Sequence, residues 1–469
     1  MSTPSNESSI RAAFRTVGQE HVFAFWDGLD SDQRQELLAD LSLISAEQLP
    51  HLRQVVLGTG AAHAAPGNVQ PPSVIRRDAV TTEQVQRGRR LLAEGKVAAF
   101  TVAGGQGTRL GYDGPKGAFP IGPISNKPLF QLFAEAILAT DRKFGGATHW
   151  YIMTSPQNDA ATRAFFDEFR YFGLPADRVH FFTQGVMPAF DRDGRILLEQ
   201  PHRVALSPDG HGGSLLAMAT SGTLADMAAR GIEHISYFQV DNPLVKPLDP
   251  AFLGLHAASG SEMSSKTLPK ADDLERVGNF VMVGGRLSVI EYSDLPEALA
   301  RRRNADGSRT FDSANIAVHV LTRAFVERLT RDRTSFGLPW HRAEKKVPCM
   351  DLNTGRRVEP TAPNAVKLEA FIFDALPLAE RAVLMETSRA EEFSPVKNAT
   401  GVDSVETAKR DISRRAAAWL ARAGVAIPRV GDEPDGVFEI SPLYALDAED
   451  VIARSPALTV APAARLHLE

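Results

Sequence analysis

Between residues 97 and 241, short apolar runs alternate with longer segments whose apolar residues recur at helical spacing. The runs are VAAFTVAG (97–104), HWYIMTS (149–155), RVHFFTQ (178–184) and EHISYFQVD (233–241). Their length and their aromatic and β-branched content predict buried strands. PLFQLFAEAILATDRKF (128–144) sets Leu129, Phe133, Ala136 and Ile137 on one face, which predicts an amphipathic helix. DAATRAFFDEFRYFG (159–173) predicts a helix with a glycine stop, and GGSLLAMATSGTLADMAARG (212–231) a further helix. Strands and helices in alternation make βαβ units, hence a parallel sheet covered on both faces.

The pattern changes on either side of this block. Residues 1–60 read as helical, with Leu37, Leu38, Leu41 and Leu43 at roughly helical spacing and Asp30 or Ser31 as a cap. GTGAAHAAPGNVQPPS (58–73) reads as a linker and TTEQVQRGRRLLAEG (81–95) as a helix. Beyond residue 280, NFVMVGG, LSVIEYS, NIAVHVLT and KLEAFIFD predict an antiparallel extension. In the last of these, Phe371 and Phe373 alternate about Ile372 as on a strand. An Arg/Ala-rich helix (408–424) and a short strand within GVFEISPLYAL (436–446) complete the chain. The expected organisation is a helical N-terminal region with linker (1–90), a catalytic domain (91–385) and a small C-terminal domain (386–469).

Composition narrows the function classes. The net charge is −5, against a wholesale nucleic-acid or anionic-membrane binder, which carries a basic excess. Cys349 is the single cysteine, so neither an intramolecular disulfide nor a multi-cysteine zinc site is expected. No apolar run approaches the ~20 residues of a membrane span, and the N-terminus lacks the features of a secretory signal. These features lead to the expectation of a cytoplasmic protein in a reduced compartment, with no nucleic-acid and no membrane partner.

The chemistry concentrates in AGGQGTRLGYDGPKG (103–117), directly after the first apolar run. Glycines allow sharp turns and close backbone approach, so amide groups can face an anion, and Arg109 and Lys116 add positive charge. The loop is not a dinucleotide fingerprint, because Leu110 stands where the third glycine would fall. Nor is it a P-loop, because Lys116 follows Pro115 and precedes Gly117. In open α/β sheets, ligands sit at this C-terminal end of a strand.

The stretch AGGQGTRLGYDGPK (103–116) resembles the signature of the eukaryotic-type UDP-sugar pyrophosphorylases, the UDPGP type 1 family. The likeness continues in order through FFTQGVMPAF (181–190), SPDGHGG (207–213), QVDNPLVK (239–246), VIEYS (289–293), ANIAVH (314–319), KLEAFIFD (367–374) and EFSPVKNA (392–399). The branch it looks most like is that of the UDP-N-acetylglucosamine pyrophosphorylases. The resemblance implies a Rossmann-like mixed-sheet α/β nucleotidyltransferase core (GT-A-like) with a helical N-terminal region and a small C-terminal domain. It also implies conversion of UTP and a sugar 1-phosphate into a UDP-sugar and pyrophosphate, with Mg²⁺. By the same resemblance, the backbone of Gly104 and Gly105 would contact the nucleotide. Gln184, Met187 and Pro188 would lie at the uracil, with Pro208, Asp209 and Gly210 nearby. Asp241 would hold the metal, and Gly278, Glu291, Asn315, Phe371 and Phe373 would surround the sugar. Lys397 would meet phosphate from the C-terminal side.

A phosphate nucleophile is already ionised, so its attack on an α-phosphate needs neutralisation and alignment rather than a general base. Arg109, Lys116 and Lys397 suit that task, with Arg109 and Lys116 expected at the β and γ phosphates. One position departs from the branch. Its loop resembles D-G-N-G-G, where this chain has His211, which looks more like the G-H-G loop of the glucose enzymes. The sugar is therefore open between N-acetylglucosamine and glucose. A glycosyltransferase that uses a UDP-sugar, and a non-catalytic nucleotide-sugar binding protein, are the other classes. Asp191-Arg192-Asp193-Gly194 resembles a glycosyltransferase D-x-D motif, but its Asp-Gly setting predicts a hairpin turn.

Overall fold

The first apolar run forms strand β1 (Val97–Val102), most of it buried. Its one polar side chain is satisfied: Thr101 Oγ1 accepts from Trp150 Nε1 at 2.8 Å. β1 pairs in parallel with β2 (His149–Thr154), and β2 with β3 (Val179–Thr183). On its other side β1 pairs in parallel with β4 (His234–Gln239). Four expected strands thus lie side by side, and all run one way.

The computed structural model describes residues 5–58, 68–331 and 337–469. Residues 59–67, most of the expected linker, lie outside the described residues; Val69–Gln70, further along it, is a strand paired with the main sheet. The chain divides into two discontinuous units: one of Met1–Asn68, Gln184–Ala217 and Leu329–Ala375, the other of Val69–Thr183, Met218–Arg328 and Leu376–Glu469.

The second unit holds the main sheet. An unexpected strand, β5 (Met263–Pro269), precedes the expected antiparallel extension, which is present as β6 (Asn279–Val283) and β7 (Ser313–Thr322). β7 runs antiparallel to β4, β5 and β6, while β8 (Ala382–Glu386) lies parallel to β5. With Val69–Gln70 and Arg286–Ile290 this makes a ten-stranded mixed sheet. Helix α1 (Thr82–Ala93) starts at a capping box between Thr81 and Gln84. Helix α2 (Leu129–Phe144) buries the predicted face, including Leu129, Phe133 and Ile137, and stops at Gly145 with φ +82°. Helix α3 (Asp159–Glu168) is shorter than expected. The chain then turns through Arg170, Tyr171 and Phe172, all at positive φ, which folds the Phe172 ring back to 5.4 Å from Phe166. Helix α4 (Pro250–Ala258) crosses α1 where Gly88 meets Gly254, so closely that a Cβ on Gly88 would overlap the Pro250 carbonyl. Helix α5 (Val405–Arg422) packs Trp419 and Leu420 against Phe438 on the predicted short strand, Gly436–Ile440.

In the first unit, the helices Ser5–Thr16, Ser31–Ser42 and Leu49–Val56 are packed on the hairpins of 186–204. Asp30 is the cap of the second, accepting from the Gln33 amide at 2.9 Å. Buried Gln19 ties the segments together: its Nε2 donates to the Gly194 carbonyl and its Oε1 accepts from the Ile196 amide, each at 2.9 Å. Asp191 Oδ1 accepts the amides of Asp193 and Arg195. The D-x-D look-alike is thus a turn.

Two further expectations are corrected. The segment 212–231 is two helices, Gly213–Thr220 and Thr223–Ala229, separated at Gly222 with φ +84°. KLEAFIFD does not join the main sheet: Ala365–Glu369 pairs with His341–Lys345 in the first unit. The strand ends at Glu369 because Ala370 donates to the Asp209 carbonyl and accepts from the Gly212 amide, each at 2.8 Å. Phe371 and Phe373 therefore lie on a bend and a 3₁₀ turn (Ile372–Leu378), not on alternating strand positions. Among the described residues, no helix is long and apolar enough to cross a membrane.

Candidate functional site

The predicted site residues fall into two groups, one in each unit. In the sheet-bearing unit, the glycine loop leaves the C-terminal end of β1 and closes on itself. The Gly107 amide donates to the Gly114 carbonyl at 2.9 Å, and the Lys116 amide to Gly105 at 3.1 Å. Gly114 has φ +148°, a conformation that favours glycine. Buried Asn158 braces the loop from outside, with Nδ2 donating to the carbonyls of Ala103 (2.9 Å) and Gly105 (3.2 Å).

Lys116 thereby reaches Asp241, just beyond the end of β4, with Nζ 3.4 Å from Oδ2. Both side chains are 16% exposed, so the pair remains open to a ligand. Asp241 also connects to the C-terminal segment: its carbonyl accepts from the Val396 amide at 2.8 Å, one residue before Lys397. Asn242 strengthens that junction, with Nδ2 donating to the Glu392 carbonyl at 2.7 Å and Oδ1 accepting from the Ser394 amide at 3.1 Å. Lys397 Nζ rests 3.2 Å from Asp403 and is 42% exposed. Arg109 is exposed on the turn Thr108–Leu110 and makes no ion pair among the described residues.

Gly278, Glu291 and Asn315 are brought together. The Asn315 amide donates to the Gly278 carbonyl at 2.8 Å, and a Cβ on Gly278 would lie 2.9 Å from Glu291 Oε1. Asn315 Oδ1 accepts from the amide of Ala317, which has φ +54°.

In the other unit, Val186–Pro188 pairs antiparallel with Leu206–Pro208, which sets Met187 opposite Ser207, Pro188 opposite Leu206 and Pro208 opposite Val186. Gln184 and Asp209 are buried at the ends of these strands. Gly185 and Gly213 leave space for the Asp209 carboxyl, which a Cβ at either position would overlap. Burial pushes that carboxyl up to about 7, and its Oδ1 has no hydrogen-bond partner among the described residues. Gly210 (φ +86°) turns the chain so that His211 stacks on Phe371, with ring centroids 5.3 Å apart, and lies 5.8 Å from Phe373. Burial, with a smaller contribution from His341, lowers the His211 imidazole to about 4, so it is neutral at pH 7.

Sequence reasoning missed three residues here. Asn158 and Asn242 act through backbone contacts that no spacing announces. His341 lies 4.5 Å from Phe371 and pairs with Asp374 at 2.8 Å, from a segment with no motif of its own.

The family model described as UTP–glucose-1-phosphate uridylyltransferase, UDPGP, matches residues 62–410. The chain belongs to the UDPGP family. It is similar to the human UDP-N-acetylhexosamine pyrophosphorylase-like protein 1, with 35% identity over 95% of this chain and 94% of the relative. It is also similar to the UDP-N-acetylglucosamine pyrophosphorylase of Saccharomyces cerevisiae, with 36% identity over 90% of this chain and 92% of the relative. Among solved structures, the Trypanosoma brucei uridine diphosphate N-acetylglucosamine pyrophosphorylase in complex with an inhibitor superposes with a TM-score of 0.86. That match has 26% identity and covers 100% of this chain and 99% of the other. For a UDPGP member, a loop rich in backbone amides and lysine, at the C-terminal ends of parallel strands, is chemistry suited to a nucleoside triphosphate.

Among the described residues, no group of three or more His, Cys, Asp or Glu side chains could hold a metal ion. The donor set fits Mg²⁺ all the same. That ion is commonly held by one or two carboxylates together with substrate phosphates, and Asp241 is a partly open carboxylate beside the phosphate-suited loop.

Proposed function

We propose that this UDPGP member transfers the uridylyl group of UTP to N-acetylglucosamine 1-phosphate and releases pyrophosphate. The observation that carries the reading is the Lys116–Asp241 pair, backbone-linked to the segment bearing Lys397. The choice of sugar follows the relatives just described, which are named for N-acetylated hexosamine substrates.

The sugar phosphate oxygen attacks the α-phosphorus of UTP in line. A new O–P bond forms as the bond to the β-phosphate bridging oxygen breaks, and pyrophosphate departs with those electrons. No proton has to be removed. Lys116 and Arg109 neutralise the β and γ phosphates and the departing pyrophosphate. The amides around Gly104 and Gly105 orient the nucleotide phosphates. Lys397 meets the charge that develops between the two substrates. Asp241 would hold a divalent cation, Mg²⁺ in this reading, which would supply further neutralisation of phosphate oxygens. Gln184, Met187, Pro188, Pro208 and Gly210 accommodate the uracil. Gly278, Glu291, Asn315, Phe371 and Phe373 accommodate the sugar.

A second reading, glucose 1-phosphate, is favoured by His211, where the N-acetylglucosamine branch resembles D-G-N-G-G. The two are separated by pyrophosphate release from UTP with N-acetylglucosamine, glucose, N-acetylgalactosamine and galactose 1-phosphates. Highest kcat/KM with N-acetylglucosamine 1-phosphate is expected. A preference for glucose 1-phosphate selects the second reading, and no release with any sugar overturns both.

A further inference from the structure

The sheet-bearing unit contains a cavity of about 300 Å³ that the reaction above does not use. Its walls come from α2, from α5 and from the Pro243–Ala251 segment that follows Asp241 and Asn242. Leu132, Phe133, Val245, Ile412 and Trp419 make much of the lining apolar. This volume is at the low end of ligand pockets, about 300–1,000 Å³, which combine apolar walls with a few polar groups.

The charges in the wall are unequal. Asp249, Glu439 and Asp447 are its carboxylates, and each is engaged. Asp249 meets Arg77 at 2.6 Å and Lys266 at 2.7 Å. Glu439 accepts the amides of Ile124 and Ser125, and Asp447 caps the helix Ala448–Arg454 through the Asp450 amide. Among the described residues, two cations of the wall have no such partner. Arg89 is exposed, lies with its Cζ 5.8 Å from the Phe144 ring centroid, and makes no ion pair among the described residues. Arg415 spends Nη1 on the carbonyls of Leu244 (2.9 Å) and Glu391 (3.0 Å), and its Cζ lies 5.0 Å from the Trp419 ring centroid. Burial lowers this guanidinium to about 10, against the opposing pull of Glu391 and Glu392. An arginine so placed gains from an incoming anion.

We infer that this cavity is a regulatory site for an amphipathic monoanion, its apolar body among Phe133, Ile412 and Trp419 and its anionic head at Arg89 and Arg415. The regulatory route lies in the two carbonyls that Arg415 holds. Leu244 lies three residues after Asp241 in sequence, and Glu391 six before Lys397. Those two stretches are joined by Asn242 and by the Asp241–Val396 hydrogen bond. An anion that draws Arg415 away from either carbonyl acts on both sides of the reaction centre. The effect on rate rests on the proposed uridylyl transfer; the binding does not.

The test uses the full chain with anilinonaphthalene sulfonate as a fluorescent probe, and decanoate and decanol as competitors. Decanoate should displace the probe at one saturable site, and decanol about tenfold more weakly. Ala136→Trp, which fills the cavity from α2, should abolish probe binding. Arg89→Ala, a surface change, should weaken decanoate severalfold and leave thermal unfolding unchanged. Equal competition by decanol, or binding undiminished in both variants, overturns the site. With pyrophosphate release as readout, saturating decanoate should change kcat or the KM for the sugar phosphate in the wild type and not in Ala136→Trp. A rate that decanoate leaves unaltered overturns the regulatory role. Failure of the uridylyl-transfer reading itself is recognised separately, as no pyrophosphate release in the absence of decanoate.

Discussion

His211 accepts a hydrogen bond from the Ile372 amide through Nδ1, at 3.1 Å. In a neutral imidazole this assigns the proton to Nε2, so His211 offers its surroundings a donor there. An asparagine would offer both a donor and an acceptor amide. His211→Asn should raise the preference for N-acetylglucosamine over glucose 1-phosphate by about tenfold in kcat/KM, as expected when a site gains or loses one substrate hydrogen bond. An unchanged ratio would remove His211 from sugar selection.

Lys116 is the charge partner of Asp241 and is held by a closed loop, so its loss is not easily replaced from solvent. Lys116→Ala should lower kcat by about 10²–10³. Lys116→Arg should recover little, because the guanidinium is bulkier and differently shaped. Steady-state pyrophosphate release checks both, and near-normal turnover in Lys116→Ala would refute the assignment.

Asp209 makes a pH prediction. Its folded pKa is about 7, above the ordinary 3.8. Between those values the folded chain holds a proton that the unfolded chain has released, so this group's contribution to stability falls as pH rises toward 7. Asp209→Asn should therefore be more stable than the wild type at about pH 8, by about 4 kcal/mol, with the advantage shrinking toward pH 5. Denaturant unfolding at the two pH values measures it. An advantage independent of pH would show that the carboxyl is not the cause.

The α1–α4 crossing is a steric prediction. A methyl at Gly88 meets the Pro250 backbone, and one at Gly254 meets the Gln84 carbonyl. Backbone cannot rotate away as a side chain can. Gly88→Ala should cost about 1–3 kcal/mol or more, although alanine favours an isolated helix. Equilibrium unfolding of Gly88→Ala beside the exposed control Arg89→Ala distinguishes packing from propensity.

Much was legible before folding. Apolar runs at 97–104, 149–155, 178–184 and 233–241 became adjacent parallel strands because a strand buried on both faces has to be apolar throughout. The glycine loop was legible because its chemistry is local: turn, cations and strand end lie within fifteen residues. Other features were hidden by the same logic. Phe371 and Phe373 alternate as a strand would, yet hydrogen bonds that tie Ala370 to Asp209 and Gly212, more than 150 residues earlier, end the strand before it reaches either ring. The break at Gly222 lies within a composition that reads as one helix.

The sequence by itself determined the α/β class, the phosphate-suited loop and the family, since each rests on local pattern or on an ordered series of motifs. Tertiary structure decided that Lys116 meets Asp241 and that Asn242 secures the segment bearing Lys397. It also decided that Arg89 and Arg415 line one cavity while, among the described residues, neither makes an ion pair. These are relations between residues far apart in the chain. Their energy depends on distance and burial, neither of which leaves a period in the sequence.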